Sequence, residues 1–313
     1  MPEMRVLAEG LEFPEGPVVL PDGSIAVCEI KGRRVTRVDQ DGGKETIAQT
    51  GGGPNGAQLG PDGKLYVCNN GAAYDFVDMG GLTITHQPPS NHEGGRIERV
   101  DLDSGEVEVL YTEANGNRLQ APNDLVFDGH GGFWFTDHGI RYDRSSDRTY
   151  ICYAKADGSE IREVMGPVDG PNGIGLSPDG TKLYVAETYT AAIWSWDVTA
   201  PGEIGEGLPL LPHKGAPVAR VGGFAALDSL AIDADGNVNV GTLLRGGITV
   251  IAPGSEPRAG EEIDFVEAGD IWATNIAFGG EDLRTAYITG SAGGKLIVID
   301  DWPRPGLKLA HQS

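Results

Sequence analysis

The chain has 313 residues, of which 39% are hydrophobic and 22% charged, a balance typical of globular proteins and unlike that of disordered chains. Its 46 acidic residues outnumber 24 basic ones, and the formal net charge of −22 would repel the phosphate backbone of a nucleic acid. We therefore expect a small-molecule partner and no nucleic acid.

The sequence gives no indication of membrane insertion or secretion. No apolar run reaches about 18 residues, and the first residues lack the charged and apolar regions of a signal peptide. Cys28, Cys68 and Cys152 cannot all pair, and each lies among apolar residues, as reduced core thiols do. We expect a cytoplasmic protein with no membrane contact.

Short runs of alternating apolar residues, bounded by Asp-Gly or Gly-Gly turns, recur along the chain, and no segment has the periodicity of a three-turn helix. In chain order the clearest predicted strands lie at 5–8, 24–28, 64–68, 132–136, 182–186 and 295–299. The 48 Gly and 20 Pro residues are spread evenly between them. The pattern predicts an all-β fold.

A repeated unit contains these strands: a polar residue behind Pro or a small residue, a strand, an Asp-Gly turn and a second strand. Six copies begin at 13–17, 53–57, 121–125, 170–174, 226–230 and 273–277. Their spacing of roughly 40 to 70 residues is typical of four-stranded propeller blades. The sequence predicts one domain over 1–313, a six-bladed β-propeller whose termini, at 5–8 and 295–299, close the last blade. A closed ring has no free edge, so we expect a monomer.

Two features modify the repeat. The extra residues of the longest interval fall in 72–95, where we expect a hairpin or lid over one face of the ring, or otherwise a plain variable loop. A small residue recurs shortly after each turn, which indicates a crowded layer between blades. These small residues are Cys28, Cys68, Thr136, Ala186, Gly241 and Thr289.

The polar residue of each copy begins the innermost strand, so six such side chains should surround the axis of the ring. They are Glu15, Asn55, Asn123, Asn172, Asp228 and Asn275. Pro-Asn-Gly at two of them is by itself an ordinary turn signal, but three others are not followed by Gly. All six offer oxygen, which hard divalent cations prefer, and two carboxylates balance a charge of +2. The pattern predicts a Ca²⁺ site on the axis.

The chain resembles the senescence marker protein/gluconolactonase family of six-bladed propellers over nearly its whole length, through the segments at 13–17, 122–124, 171–180 and 227–233. The resemblance implies that Glu15, Asn172 and Asp228 bind one catalytic divalent cation, and that Asn123 binds either this cation or the substrate. Ca²⁺ is the expected ion, with Zn²⁺, Mn²⁺, Mg²⁺ or Fe²⁺ as alternatives. The related diisopropylfluorophosphatase-like propellers place an Asn near the metal in blade six, which implies such a position for Asn275.

One departure from the family concerns the substrate. Sugar-lactone hydrolases of the family commonly have an Arg two residues before the third-blade Asn, where this chain has Ala121.

A second set of ionisable or polar residues directly follows the small-residue positions of the repeat. These are Glu29, Asn69, Asp137, Glu187 and Thr242, with His138 directly after Asp137. We expect Asn123, Asn55, Asn275, Asp137 and His138 at the substrate, although the last two could instead be solvated loop residues.

These residues predict a metal-dependent carboxylic ester hydrolase that opens the ring of a small lactone. The cation would polarise the carbonyl, water would attack, and Asp228 would act as the catalytic base. Two alternatives stay open: an organophosphate or other ester hydrolase, in which Asp228 would be the nucleophile, and a propeller that binds calcium or another ligand without catalysis.

Overall fold

A computed structural model describes residues 3–209, 211–254 and 260–312. In these ranges the regular secondary structure consists of strands, and no helix long and apolar enough to cross a membrane is present. The first strands are β1 (Met4–Glu9), β2 (Pro14–Val19), β3 (Ile25–Glu29), β4 (Arg34–Val38), β5 (Lys44–Gln49), β6 (Pro54–Leu59), β7 (Leu65–Asn69), β8 (Asp75–Asp78), β9 (Thr83–His86), β10 (Arg96–Val100) and β11 (Val107–Tyr111).

The middle of the chain forms β12 (Glu113–Ala114), β13 (Asn117–Arg118), β14 (Pro122–Phe127), β15 (Gly132–Asp137), β16 (Arg141–Tyr142), β17 (Ser145–Ser146), β18 (Thr149–Lys155), β19 (Ile161–Val168), β20 (Pro171–Leu176), β21 (Lys182–Glu187), β22 (Ala192–Ala200), β23 (Glu203–Ile204) and β24 (Ala216–Arg220). The last strands are β25 (Ala226–Ile232), β26 (Val238–Leu243), β27 (Gly247–Ala252), β28 (Glu261–Glu267), β29 (Ala273–Gly279), β30 (Thr285–Gly290) and β31 (Lys295–Ile299).

Asp-Gly turns connect the first two strands of five blades, as their sequence predicts, and the sixth blade has Gly-Gly-Glu-Asp in their place. Between β2 and β3 the Asp22 carboxylate accepts a hydrogen bond from the amide of Ser24 at 2.9 Å. Gly23 adopts φ +83°, a left-handed conformation that costs glycine little. The turns at Gly63 and Gly180 repeat this conformation. The tight turn fixes the register of the two strands that follow the axis.

Six antiparallel sheets form the blades of a β-propeller, which confirms the predicted fold class. Their main strand orders are β2-β3-β4-β5, β6-β7-β10-β11, β14-β15-β18-β19, β20-β21-β22-β24, β25-β26-β27-β28 and β29-β30-β31-β1. The innermost strands contact one another in the cyclic order β2, β6, β14, β20, β25, β29 and back to β2. Both ends of the chain contribute to the sixth blade, since β1 pairs with β31.

The predicted small-residue positions lie in the second strand of each blade and are buried against the next blade. Cys28, Cys68 and Thr136 are almost completely buried, and the Thr136 hydroxyl donates to the carbonyl of Asn172 at 2.6 Å. All three cysteines are free thiols, and burial raises their pKa values well above the usual range. They act as core side chains between blades.

The two ends of the axial channel differ. At one end lies the cavity described below. The opposite end holds a smaller space of about 90 Å³ with mostly aliphatic walls, and Leu307, Leu309 and Ala310 of the C-terminal segment lie across it. This segment is held to blade five by the amide of Leu307, which donates to the carbonyl of Ile232 at 3.0 Å.

Candidate active site

An irregularity at the start of the inner strands aims the polar residues at the axis. In four of these strands, two consecutive residues lack a partner in the neighbouring strand. These unpaired pairs are 55–56, 123–124, 172–173 and 228–229. In β2, Glu15 pairs with Cys28 and the next two residues are unpaired. A bulge breaks the two-residue alternation of side chains along a strand. Two consecutive side chains can therefore point toward opposite ends of the axial channel.

Glycine after the polar residue allows neighbouring inner strands to come close together. A Cβ atom on Gly56 would collide with the backbone of Asn123 and Asp124, and one on Gly173 with the backbone of Ser229 and Leu230. The Pro-Asn-Gly segments are therefore not turns. Their glycines are required by the close approach of adjacent blades around the axis.

A cavity of about 220 Å³ lies at the end of the axis where the inner strands begin. Five of the six predicted axial residues line its floor: Glu15, Asn55, Asn123, Asn172 and Asp228. The walls consist of Phe13, Ile30, Tyr74, Thr85, His138, Thr188, Tyr189, Ala226, Leu243, Leu244 and Trp272. The arrangement is a small set of oxygen-bearing side chains below largely apolar and aromatic walls, which is a common design of small-molecule sites.

The electrostatics of the floor are dominated by carboxyl groups. Burial raises the pKa of Glu15, although hydrogen bonds from Asn275 and Gly16 oppose this. Burial and then the charge of Glu15 raise the pKa of Asp228 well above its usual range. Burial also raises the pKa of the neighbouring Asp124 to about 8. No Lys or Arg is among the described residues that line the cavity, so nothing in its lining compensates these charges.

The chemistry of the floor fits a hard divalent cation. The Asn123 Oδ1 atom is buried and accepts no hydrogen bond within the described ranges, which leaves an oxygen available to a ligand. Glu15 and Asp228 supply the negative charge, and all five floor residues supply oxygen. Among residues 3–209, 211–254 and 260–312, no three His, Cys, Asp or Glu side chains are grouped as metal ligands, because amides make up most of this floor.

Asn275 lies on the other side of the ring from the cavity. Its side-chain amide donates to the Glu15 carboxylate at 3.0 Å, and its carbonyl oxygen accepts from its own neighbour, the amide of Ile276, at 2.8 Å. Asn275 lines the space at the opposite end of the channel together with Asp124, the residue after Asn123, and both side chains accept a hydrogen bond from the amide that follows them. Asn275 therefore corresponds to Asp124, and the register predicted for blade six differs from the structure by one residue, which moves a side chain to the opposite face. Asn275 therefore holds the Glu15 carboxylate in position from the side opposite the cavity.

Asp137 is also outside the cavity lining, because its carboxylate is bonded to the backbone before β14. It accepts hydrogen bonds from the amides of Gln120 at 2.8 Å and Ala121 at 2.6 Å. Residues in the same register do the same in other blades: Asn69 accepts from Gly53 at 2.8 Å, and Glu187 accepts from Asp169 at 3.1 Å. These side chains hold the segment that enters each inner strand.

The cavity is instead lined by residues one position further along the second strands. His138 is one of them, as predicted, together with Ile30, Thr188 and Leu243, which the sequence did not single out. The alternation of side chains along a strand could have found them, since neighbours of a scaffold residue point to the other side. The Nδ1–H of His138 donates to the carbonyl of Gly139 at 3.1 Å, and burial lowers its pKa. Its Nε2 is then an unprotonated acceptor.

The 72–95 insertion forms the hairpin that the sequence predicted as one possibility, and it brings Tyr74 and Thr85 to the cavity. The repeat could not have indicated them, because the one described hairpin at the same place in another blade, β16–β17 of blade three, is much shorter. Trp272 lines the cavity as well, with its ring 5.7 Å from that of Phe13. Ala121 is not in the lining and packs against Ala73 and Ile140.

The site can now be compared with known proteins. The family model described as SMP-30/Gluconolactonase/LRE-like region matches residues 13–292. The lactonase drp35 of Staphylococcus haemolyticus is 28% identical over 251 residues, which cover 80% of this chain and 69% of that protein. The diisopropyl-fluorophosphatase of Loligo vulgaris is 28% identical over 285 residues, covering 82% and 81% of the two chains. A gluconolactonase from Xanthomonas campestris has a structure with a TM-score of 0.72 at 22% identity, covering 97% and 89%.

Proposed function

This chain belongs to the SMP-30/gluconolactonase/LRE-like family, and from that premise we propose that it is a hydrolase that opens the ester ring of a small lactone. The observation that supports this proposal most directly is the floor of the cavity. Five oxygen-bearing side chains meet there on the propeller axis, below walls that are mostly apolar. Such a site can hold one polar reacting group of a small molecule and exclude much of the water around it.

In this proposal Glu15, Asn123, Asn172 and Asp228 hold one divalent cation, which we expect to be Ca²⁺. The free Oδ1 of Asn123 and the two uncompensated carboxylates of Glu15 and Asp228 support this assignment. When bound, such a cation polarises an ester carbonyl and stabilises the negative charge that develops on its oxygen.

Asp228 is the proposed general base. Asp228 and the proposed cation ligands line one cavity, so its carboxylate lies where it can take a proton from a water molecule that attacks the bound ester. The water oxygen forms a bond to the carbonyl carbon, the ring C–O bond breaks, and the ring oxygen leaves as the hydroxyl of a hydroxy acid. Asn55 and the unprotonated Nε2 of His138 would orient the substrate as hydrogen-bond partners.

Hydrolysis of an organophosphate is the second candidate. A diisopropyl-fluorophosphatase is among the relatives of this chain, and the uncharged walls suit a phosphorus ester that bears no charge. Asp228 would then attack phosphorus directly as the bond to fluoride or another leaving group breaks, and water would cleave the new bond between phosphorus and the carboxylate, which releases the phosphorus acid and restores Asp228.

The test is a panel of small lactones and a fluorophosphate, assayed before and after EDTA treatment and after addition of single divalent metals. We expect lactone hydrolysis that EDTA abolishes and Ca²⁺ restores. The melting temperature should fall in EDTA, since a ligand present at a hundred times its Kd stabilises the folded state by about 2.7 kcal/mol. Hydrolysis of the fluorophosphate alone would favour the second candidate, and full activity of metal-free protein would contradict the proposed cation.

The walls also predict which lactones are preferred. This chain has Ala121 where sugar-lactone hydrolases of the family commonly have an Arg, and the nearby Arg96 and His92 do not replace it. Neither is in the cavity lining: Arg96 forms a hydrogen bond with Glu98, and His92 lies 2.8 Å from the carbonyl of Gln120. The described lining offers no Lys or Arg to bind the several hydroxyl groups of a sugar lactone, and each hydroxyl group left unpaired would cost about 1–3 kcal/mol. We therefore expect kcat/KM for a simple γ-lactone to exceed that for an aldonolactone by roughly a hundredfold. A clear preference for the aldonolactone would contradict this.

A further inference from the structure

The hairpin insertion is anchored to three other blades, which makes it a fixed wall of the cavity. The amide of Thr83 donates to the carbonyl of Ala292 in blade six at 2.8 Å. The Phe76 ring lies 5.2 Å from that of Phe13 in blade one. The side chain of Gln87 accepts from the amide of Arg141 in blade three at 3.1 Å. These contacts fix the position of the insertion, and of the side chains that it carries, relative to blades one, three and six.

The insertion brings two hydroxyl groups to the cavity, those of Tyr74 and Thr85, and the phenol of Tyr74 is the more acidic of the two. Its ring is half-buried and packs against the cluster of Ala73, Ala121 and Ile140, and the side chain lines the cavity. Its hydroxyl makes no hydrogen bond to any residue that the structure describes, and it is not one of the fully buried polar atoms, so it is open to a ligand in the cavity. Burial raises its pKa well above the usual range, so the group is a donor at neutral pH.

The position of this hydroxyl limits what it can bind. Tyr74 lines the same cavity of about 220 Å³ as Glu15 and Asp228, so a small molecule bound there can contact the floor and this side chain together. The floor residues belong to the inner strands, whereas Tyr74 approaches from the wall formed by the insertion. In the proposed reaction the carbonyl oxygen of the lactone is directed at the floor. The other oxygen of the ester, which becomes the leaving group, is then available to a donor on the wall.

We propose that the Tyr74 hydroxyl is a catalytic donor that assists departure of the ring oxygen. This inference rests on the proposed lactone hydrolysis. As water adds to the carbonyl carbon and gives its proton to Asp228, the C–O bond of the ring breaks and its electron pair stays on the ring oxygen. Tyr74 donates its proton to this alkoxide and regains one from solvent, while Asp228 releases its proton to solvent. The products are one hydroxy acid and the unchanged enzyme.

The experiment compares Tyr74→Phe with wild type on two lactones that differ in their leaving group. One is an aliphatic lactone, whose leaving alkoxide is strongly basic, and the other an aryl lactone, whose leaving phenolate needs little help. Tyr142→Phe is the matched control, because Tyr142 is exposed, lies outside the cavity and also has no hydrogen bond through its hydroxyl in the described chain. The melting temperature is measured for all three proteins.

We expect Tyr74→Phe to lower kcat for the aliphatic lactone by about 10- to 100-fold and for the aryl lactone by less than about threefold. Its melting temperature should equal that of wild type, and Tyr142→Phe should match wild type on both substrates. Equal losses on both lactones, or no loss on either, would overturn the assignment. A wild-type protein that opens neither lactone would instead overturn the proposed function, and the Tyr74 assignment with it.

Discussion

At the scale of single residues, position relative to the cavity separates the carboxylates proposed to act from those that hold the backbone. Glu15, Asn123 and Asp228 direct oxygen atoms at a cavity whose described lining contains no Lys or Arg, and carboxylate charges are costly to bury unless something compensates them. Asp137 has the same chemistry but is bonded to two backbone amides. Glu15 also accepts a hydrogen bond from a backbone amide, that of Gly16, so neither residue type nor hydrogen bonding separates these carboxylates. Their position does, because Glu15 and Asp228 line the cavity and Asp137 does not.

Asp228→Asn tests the catalytic role of this carboxylate. We expect turnover to fall by at least about a hundredfold, because the amide can neither accept a proton from water nor supply charge to a cation. The fold should persist, and the melting temperature in EDTA should be unchanged or higher because a buried charge is removed. Asn55→Ala serves as the comparison and should lose less than about tenfold, since Asn55 is outside the proposed ligand set. Turnover of Asp228→Asn within twofold of wild type would exclude the assigned role.

At the scale of strands and loops, the sequence predicted the strands and turns that recur in the blades, but it did not predict the contacts of the insertion. The Asp-Gly turns and alternating runs predicted the blades, because both signals are local and recur. The bulges that aim the axial residues are set by contact between neighbouring blades, so the register in blade six was wrong by one residue. The hairpin at β8 and β9 is matched only by the much shorter β16–β17 hairpin among the described strands, and its contribution of Tyr74 to the cavity follows only from tertiary contacts.

Asp137→Ala tests the idea that residues in this register hold the entry to the inner strands. Removing the carboxylate leaves the amides of Gln120 and Ala121 without their acceptor, at a cost of roughly 2–5 kcal/mol for the two. We expect the melting temperature to fall by several degrees. Asp143→Ala is the matched control, because Asp143 is exposed in the hairpin between β16 and β17. A change no larger than that of the control in thermal unfolding would refute the scaffold role.

At the scale of the whole molecule, the two ends of the chain complete the propeller. The N-terminal strand β1 completes the sixth blade, and the C-terminal segment covers one end of the axial channel. Near the C-terminus, Trp302 is completely buried, and Gln312 donates through its side chain to the carbonyl of Phe278 at 2.8 Å. This segment covers the end of the channel opposite the candidate site. The closing strand was predictable from its alternating pattern, whereas the covering segment, with few strand-like residues, was not. Access to the floor residues is consequently from the side of the insertion.

Removal of residues 1–9 tests how far the ring depends on closure by β1. The deletion takes Leu7 and Ala8 out of a core cluster that contains Val27, Leu296 and Val298, and burial of one such leucine contributes about 1.5–3 kcal/mol. It also leaves β31 as an open edge with unpaired backbone groups, which favours association between molecules. We expect a lower melting temperature and, by size-exclusion chromatography with light scattering, soluble oligomers. A chain lacking only residues 1–3 keeps β1 and should behave as the full chain does. If the longer deletion melted and eluted like this control, closure by β1 would contribute nothing to the stability of the ring.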